Sequence, residues 1–331
     1  MSLDPLARAW LAEAWGRGLP TKLIVSSCPF PLSAAVIRTE LRALERSPHA
    51  PVIAQLAFRL QRLEWQARTR RESEALLKRP PKIPRVARLG RRAFLERHYA
   101  PQRPVVLTAM MKRWKALKKW TPGFFREHFS DVPVRIASGR DEHDFYDLKV
   151  HELSRDTTFG EYVDWVEGVR SSNAHYLVAN NNGLGGPLRA LVRDIGFFDG
   201  LMDRRRIDGF VYFWYGPRGT VTPLHHDTAN ILFCQVRGRK RVTLFDPVWT
   251  ELVRDCVSFY SAIDVEKPDL RRFPFFARVP QWTVTVGPGD ALFIPCGWWH
   301  FVRGLSTSVS ISMTNFRLPN PGQFDDVVPG S

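Results

Sequence analysis

The sequence predicts a mainly β barrel with small helical additions, preceded by a separate helical region. Three observations carry that expectation. From about residue 174 onward the chain is a series of short aromatic or β-branched runs separated by Gly or Pro, which is the texture of a sandwich or barrel. Residues 1–82 instead place apolar side chains at helical spacing. Between the two textures, Pro80-Pro81 and then Ile83-Pro84 break the helical pattern and read as a stiff linker. The expected domains are therefore 1–82 and 83–331.

In chain order, Leu3 to Trp15 and Ala35 to Leu77 carry the amphipathic pattern. A short helix around Arg91 to Tyr99 leads into a strand at Pro104 to Thr108. Thr121 followed by Pro122 reads as an N-cap with proline at the first helical position, opening a helix through Phe129. Val132 to Ala137 reads as a strand, and Thr158 caps a helix through Val166. Strands are expected at Ala174 to Val178, Phe210 to Tyr215, Thr220 to Asp227, Ile231 to Val236 and Lys240 to Phe245. Arg237-Gly238-Arg239 is expected to join the last two as a tight hairpin. After a loop with Pro268 and Pro274, strands resume at Trp282 to Val286, Ala291 to Ile294, His300 to Arg303 and Thr307 to Asn315. No internal repeat or low-complexity tract is visible, which excludes a solenoid.

Composition narrows the class further. A chain of 331 residues, 44% hydrophobic, can bury a sizeable core, and 11 Trp with 22 Phe suit packed β structure. Cys28, Cys234, Cys256 and Cys296 are scattered without paired spacing, so neither a disulfide framework nor a zinc site is expected. No basic start leads into a long apolar run, and no apolar stretch reaches membrane-spanning length, so a cytoplasmic protein without a membrane partner is expected. The net charge is +15, and Arg59 to Arg103 hold 14 Lys or Arg against four acidic residues. Such a block attracts nucleic acid, anionic lipid or an acidic protein. The alternative is a solvated helix whose arginines only keep it soluble.

The chemistry is concentrated in two stretches. In Trp214-Tyr-Gly-Pro-Arg-Gly-Thr-Val-Thr-Pro-Leu-His225-His226-Asp227, strand alternation points His225 and Asp227 one way and His226 the other. Far along the chain, Gly287-Pro-Gly-Asp-Ala-Leu-Phe-Ile-Pro-Cys-Gly-Trp-Trp-His300 offers a third ligand in His300. Two imidazoles and a carboxylate on one face of a metal, with open positions opposite, suit Fe(II) and oxygen chemistry. His-x-Asp alone arises often by chance, so its surroundings decide.

Lys240 opens the strand after the Gly238 turn, and its stem is long enough to put an ammonium deep in a barrel. There it needs an anion, because an unpaired buried charge is expensive. A dicarboxylate would serve, with the Thr222 hydroxyl adding to the same group; the alternative is an exposed edge-strand lysine. In the last strand Ser308, Ser310, Ser312 and Thr314 share one face, while Val309, Ile311 and Met313 share the other. Asn315 falls on the apolar side and must find a partner, either a metal-bound carboxylate or nearby backbone. Tyr176 and Trp214 sit in candidate strands, and Trp214, Trp298 and Trp299 either wall a pocket or pack the barrel.

Trp214 to Asp227, Cys234-Gln-Val-Arg-Gly-Arg-Lys240 and Gly289 to His300, with Tyr176-Leu177 and Leu184 to Ile195 upstream, resemble the JmjC-type, cupin-like 2-oxoglutarate-dependent oxygenases. The likeness is to the hydroxylase branch, covers about residues 85–318, and does not reach the N-terminal region. It implies a double-stranded β-helix, or jelly-roll, in which His225, Asp227 and His300 bind Fe(II). It further implies that Lys240, Thr222 and Tyr176 hold the distal carboxylate of 2-oxoglutarate, and that Asn315 contacts the cosubstrate near the metal. The family often has asparagine where this chain has Ile231. Either a bulge lets Asn230 substitute or the contact is missing, because a one-residue shift reverses the facing of a side chain.

The activity implied uses O2 to convert 2-oxoglutarate to succinate and CO2 while hydroxylating a protein or peptide side chain. N-methyl-lysine demethylation is the alternative within the class. Outside it stands a non-catalytic cupin-like module docking on RNA or an acidic partner through residues 59–103. Substrate selection is expected in the loops Arg140 to Lys149 and Val257 to Phe276.

Overall fold

The computed structural model describes residues 3–76, 82–143, 146–179, 183–198, 200–253, 256–257 and 259–320. Pro80 and Pro81 of the expected linker, with Lys78 and Arg79 of the basic block, lie outside the described residues, as do parts of both expected selection loops. The chain divides into two compact units, Met1–Arg79 and Pro80–Ser331.

The first unit is helical: α1 (Pro5–Gly16), α2 (Thr21–Ser27), α3 (Ala34–Glu45) and α4 (Ala50–Ala75). Asp4 and Ser33 cap α1 and α3 by accepting from the Leu6 and Val36 amides. Leu11, Ala14, Ile24, Ile37 and Leu41 form its small core. The single run expected over Ala35 to Leu77 is two helices, because Pro48 has no amide hydrogen and disfavours helical backbone at Ser47. The short α2 was not anticipated. No residue of α4 is fully buried, and Arg59, Arg62 and Arg68 lie along it. Among the described residues no helix is long and apolar enough to cross a membrane.

The second unit is a jelly-roll of two six-stranded sheets. Its entry strands are β1 (Arg85–Val86) and β2 (Val105–Leu107), and β3 (Pro133–Ala137) pairs with β4 (Ser154–Thr158) as a separate ribbon. The barrel strands are β5 (Val211–Gly216), β6 (Val221–His225), β7 (Ile231–Arg237), β8 (Lys240–Phe245), β9 (Cys256–Val257) and β10 (Tyr260–Ser261). They continue with β11 (Trp282–Val286), β12 (Ala291–Ile294), β13 (Trp299–Gly304) and β14 (Ser308–Met313). The spatial orders are β1-β2-β12-β7-β14-β5 and β11-β8-β13-β6-β10-β9.

Side-chain alternation divides each strand between two environments. Val309, Ile311 and Met313 of β14, and Val211, Phe213 and Tyr215 of β5, face the larger core. There they meet α5 (Pro122–Phe129) and α6 (Phe159–Gly168) through Phe125, Phe159, Tyr162 and Val166. Thr121 caps α5 as expected, and Thr158 forms a reciprocal capping box with Glu161 on α6. The opposite residues of the same strands face the space between the sheets. One end of that space is closed by Val106, Phe233, Leu244, Leu292 and Trp298.

Three strand expectations are corrected. Ala174 to Val178 makes only single bridges, Tyr176 to Ala137 and Leu177 to Tyr215. The strand expected to run to Asp227 ends at His225. The Arg237-Gly238-Arg239 turn is tight but joins no hairpin, since β7 pairs with β12 and β14 while β8 pairs with β11 and β13. It carries the chain from one sheet to the other. Gly238 has φ 68° there, and a Cβ would lie 2.0 Å from the Thr307 carbonyl oxygen. Gly238→Ala is expected to cost about 1–3 kcal/mol from backbone strain alone, read as a lowered midpoint in urea unfolding. An unchanged midpoint would show that the turn relaxes freely.

Candidate metal and cosubstrate site

His225 and His300 come from adjacent strands, β6 and β13, and stand directly opposite each other in the ladder. Two residues on, the chain leaves β6 and brings Asp227 back over the pair. His300 Nε2 lies 3.3 Å and His225 Nε2 3.8 Å from Asp227 Oδ2. One ligand atom from each residue falls within 4.8 Å of the others. The Nδ1 atoms face backbone carbonyls, Pro223 O at 2.8 Å and Trp298 O at 2.9 Å. A carbonyl only accepts, so each Nδ1 carries its hydrogen and each Nε2 is the ring nitrogen turned toward the shared volume. Tyr260 of β10 stacks on the His225 ring at 5.4 Å and fixes its plane. His226 turns away onto Trp299, as alternation requires.

Two imidazole nitrogens and a carboxylate oxygen thus converge on one small volume, where a divalent cation can bridge them. Burial, then the neighbouring His300, pushes the His225 pKa down to about 4, which keeps it a neutral ligand. Burial alone would raise the Asp227 carboxyl. Its side chain is 41% exposed, however, and the His300 contact and the imidazole charges outweigh that effect and bring it down to about 2. Two imidazoles and one carboxylate are a donor set that a divalent metal takes up.

Thr222 and His225 are three residues apart yet both line the same cavity. The β6–β13 register explains this: His300 opposes His225, but Val302 opposes Thr222, so β6 carries one extra residue. That bulge re-aims the strand and puts both side chains inside.

Lys240 is 1% exposed on β8, a strand paired on both sides, which removes the edge-strand alternative. Its Nζ donates to the Tyr176 hydroxyl at 2.8 Å. The rings of Phe233, Tyr176 and Trp214 surround it at 5.2, 5.4 and 5.9 Å. Among the described residues no carboxylate pairs with it, and burial pulls its pKa down to about 7.

His225, Asp227, His300, Lys240, Thr222, Tyr176 and Trp214 all line one cavity of about 1040 Å³ between the sheets. Trp214 donates to Ser312 Oγ across the serine face of β14. Trp298 and Trp299 do not line it; they pack in separate apolar clusters. Two expected site residues are also placed elsewhere. Asn230 lies just before β7, where no bulge turns it inward; its Oδ1 accepts from the Cys296 amide and Ile231 faces the cavity instead. Asn315 follows the end of β14 and donates from Nδ2 to the Asp203 carbonyl at 2.7 Å, the backbone alternative.

Sequence reasoning missed two features of the wall. Arg140, 1% exposed, donates to Asp147 Oδ1 at 2.8 Å and to the Val221 carbonyl beside Thr222. Its guanidinium lies 5.5 Å from the Tyr176 ring centre, so this buried pair braces the Lys240 pocket. Tyr260 is the other. Both come from the two loops expected to select substrate, but their partners are distant in sequence and carry no local signal.

The Cupin-like domain family matches residues 91–317. Lysine-specific demethylase 8 of Xenopus tropicalis is 30% identical over 233 residues, 66% of this chain and 49% of that protein. Jumonji C domain-containing protein 5 of Drosophila melanogaster is 30% identical over 243 residues, 70% of this chain and 59% of that protein. HSPB1-associated protein 1 of Bos taurus is 42% identical over 108 residues, 30% of this chain and 22% of that protein. This chain therefore spans about half the length of the first of these relatives. The family match runs through every strand that bears a metal-site or lysine-pocket residue, and the chain belongs to the Cupin-like domain family, in its JmjC type.

Proposed function

We propose that this chain is an Fe(II)- and 2-oxoglutarate-dependent oxygenase that oxidises a C–H bond on a polypeptide side chain. One observation carries the reading: three converging metal-type donors share a cavity with a buried lysine that pairs with no carboxylate among the described residues. When bound there, Fe(II) and 2-oxoglutarate supply oxidising power, with O2 consumed and succinate and CO2 released. His225, Asp227 and His300 hold the metal. Lys240 forms a charge-assisted bond to the distal carboxylate, with the Tyr176 and Thr222 hydroxyls completing its hydrogen bonds. Trp214, Phe233 and Val302 keep water from that pocket. The cavity is at the upper end of small-molecule sites, about 300–1,000 Å³, so a five-carbon diacid leaves room for a substrate side chain.

Residues 83–331 form the oxygenase domain in this reading, and 1–82 a helical appendage. Part of the basic block is engaged within the second unit, where Arg85 pairs with Asp290 and Arg91 donates to the Gly200 carbonyl.

Hydroxylation is the leading outcome. N-methyl-lysine demethylation is a second reading, favoured by the names of the Xenopus and Danio rerio relatives, both called lysine-specific demethylase 8. Both outcomes begin with oxidation of a C–H bond and differ in the product. The test is succinate formation by purified chain with Fe(II), 2-oxoglutarate and O2, followed by mass spectrometry of candidate polypeptides. A gain of one oxygen supports hydroxylation and loss of a methyl group supports demethylation. Absence of succinate under all conditions would leave a non-catalytic binding module.

A further inference from the structure

The outer part of the cavity carries a cation that neither the metal nor the cosubstrate uses. Phe210, Tyr212 and Trp214 line one wall, alternating with the core residues Val211 and Phe213. Trp214 stands at the level of Lys240. Tyr212 lines the same cavity and donates its hydroxyl to the Gly209 carbonyl. Phe210 lies in the turn just before β5, and the Arg206 guanidinium lies over its ring at 3.9 Å.

Arg206 is exposed, lines the cavity, and is paired with no carboxylate among the described residues. Its neighbour Arg205 differs, being held to Asp203 by side-chain hydrogen bonds. A guanidinium laid flat on a ring keeps its planar fork free at the edge, pre-set for two parallel bonds to a carboxylate.

We propose that Arg206 docks an Asp or Glu side chain of the polypeptide substrate, close in sequence to the residue that is oxidised. This rests on the oxygenase reading given above. A polypeptide fits better than a nucleic acid. Phosphodiester binding needs several cations along a groove. Here Arg206 shares the lining with Asp147 and Asp227, and the other lysine or arginine there is the deeply buried Lys240.

The test uses the full chain with Mn(II) and 2-oxoglutarate without oxygen. Fluorescent 13-residue peptides with central lysine, arginine or asparagine carry Glu or Lys at two and three residues to either side. The wild type should prefer the Glu set by about tenfold, the scale of one charge-assisted bond. Arg206→Gln should lose that preference and Arg206→Glu should reverse it. Equal preference in wild type and Arg206→Glu would overturn the proposal, as would failure of the wild type to bind any peptide. Tighter, Arg206-dependent binding of single-stranded RNA than of the Glu peptides would also overturn it. Succinate formation by the wild type without peptide is followed in parallel. Its absence sinks the oxygenase reading alone, while the charge preference is judged by the binding data.

Discussion

Asp227→Ala is expected to lower succinate formation from 2-oxoglutarate to the level of free Fe(II) in buffer. Asp227 is the single anionic donor of the three and the one that both imidazole Nε2 atoms approach. Without it two neutral ligands remain on one face, and a hard divalent ion loses its strongest partner. The fold should survive, since the side chain is 41% exposed and lies beyond the end of β6. A metal-free melting temperature within about 4 °C of wild type is expected, the change that ~1 kcal/mol makes in a domain of this size. A second readout does not depend on turnover. Mn(II) at a hundredfold excess over its Kd stabilises the wild type by about 2.7 kcal/mol. That corresponds to roughly 5–10 °C, and the variant should show none of it. Undiminished succinate, or an intact Mn(II) shift, would remove Asp227 from the metal site.

What the sequence disclosed was whatever local pattern controls. Val309, Ile311 and Met313 lie in the core while Ser312 and Thr314 line the cavity, as alternation requires. The caps at Thr121 and Thr158 start their helices, because the capping hydrogen bonds span three residues. Lys240, Trp214, His225 and His300 meet in one cavity because each sits on a strand whose facing was legible, while Asp227 and Tyr176 join them from just beyond β6 and from an isolated bridge.

The departures come from backbone irregularity and long-range pairing. Thr222 and His225 sit at odd spacing and would face opposite ways in a regular strand; only the extra residue in β6 unites them. No comparable bulge precedes Ile231, so Asn230 faces away from the cavity and serves the Cys296 turn. Asn315 lies past the end of β14, where alternation no longer governs it. The Gly238 turn has the composition of a hairpin, yet jelly-roll topology separates its flanking strands into different sheets. Arg140 and Asp147 look like loop charges in sequence, and their burial depends on β6 and Tyr176, which lie well downstream.

Lys240→Met should weaken 2-oxoglutarate binding by on the order of 30- to 3,000-fold, the range for removing one partner of a buried charge pair. Metal binding should change far less, because the lysine belongs to the aromatic pocket and not to the donor set. The empty protein should not be destabilised. A lysine that is 1% exposed with no anion among the described residues costs stability in its charged form, and Met fills similar volume without that cost. The pH dependence carries a sign that isolates this residue. In the empty cavity Lys240 has a pKa of about 7, below its unfolded value. A dianionic cosubstrate beside it favours the ammonium and raises that pKa. Below pH 7 the lysine is already protonated, and affinity is flat with respect to this group. Above pH 7 binding must take up a proton, so the wild-type Kd should rise up to about tenfold per pH unit. Between the folded and unfolded pKa values the unfolded chain binds more protons. The empty wild type should therefore gain stability relative to Lys240→Met as pH rises from 7 to 9. Calorimetric titration of 2-oxoglutarate with Mn(II) across that range provides the measurement. Equal affinity in the two proteins, or parallel pH profiles, would show that the distal carboxylate is held elsewhere.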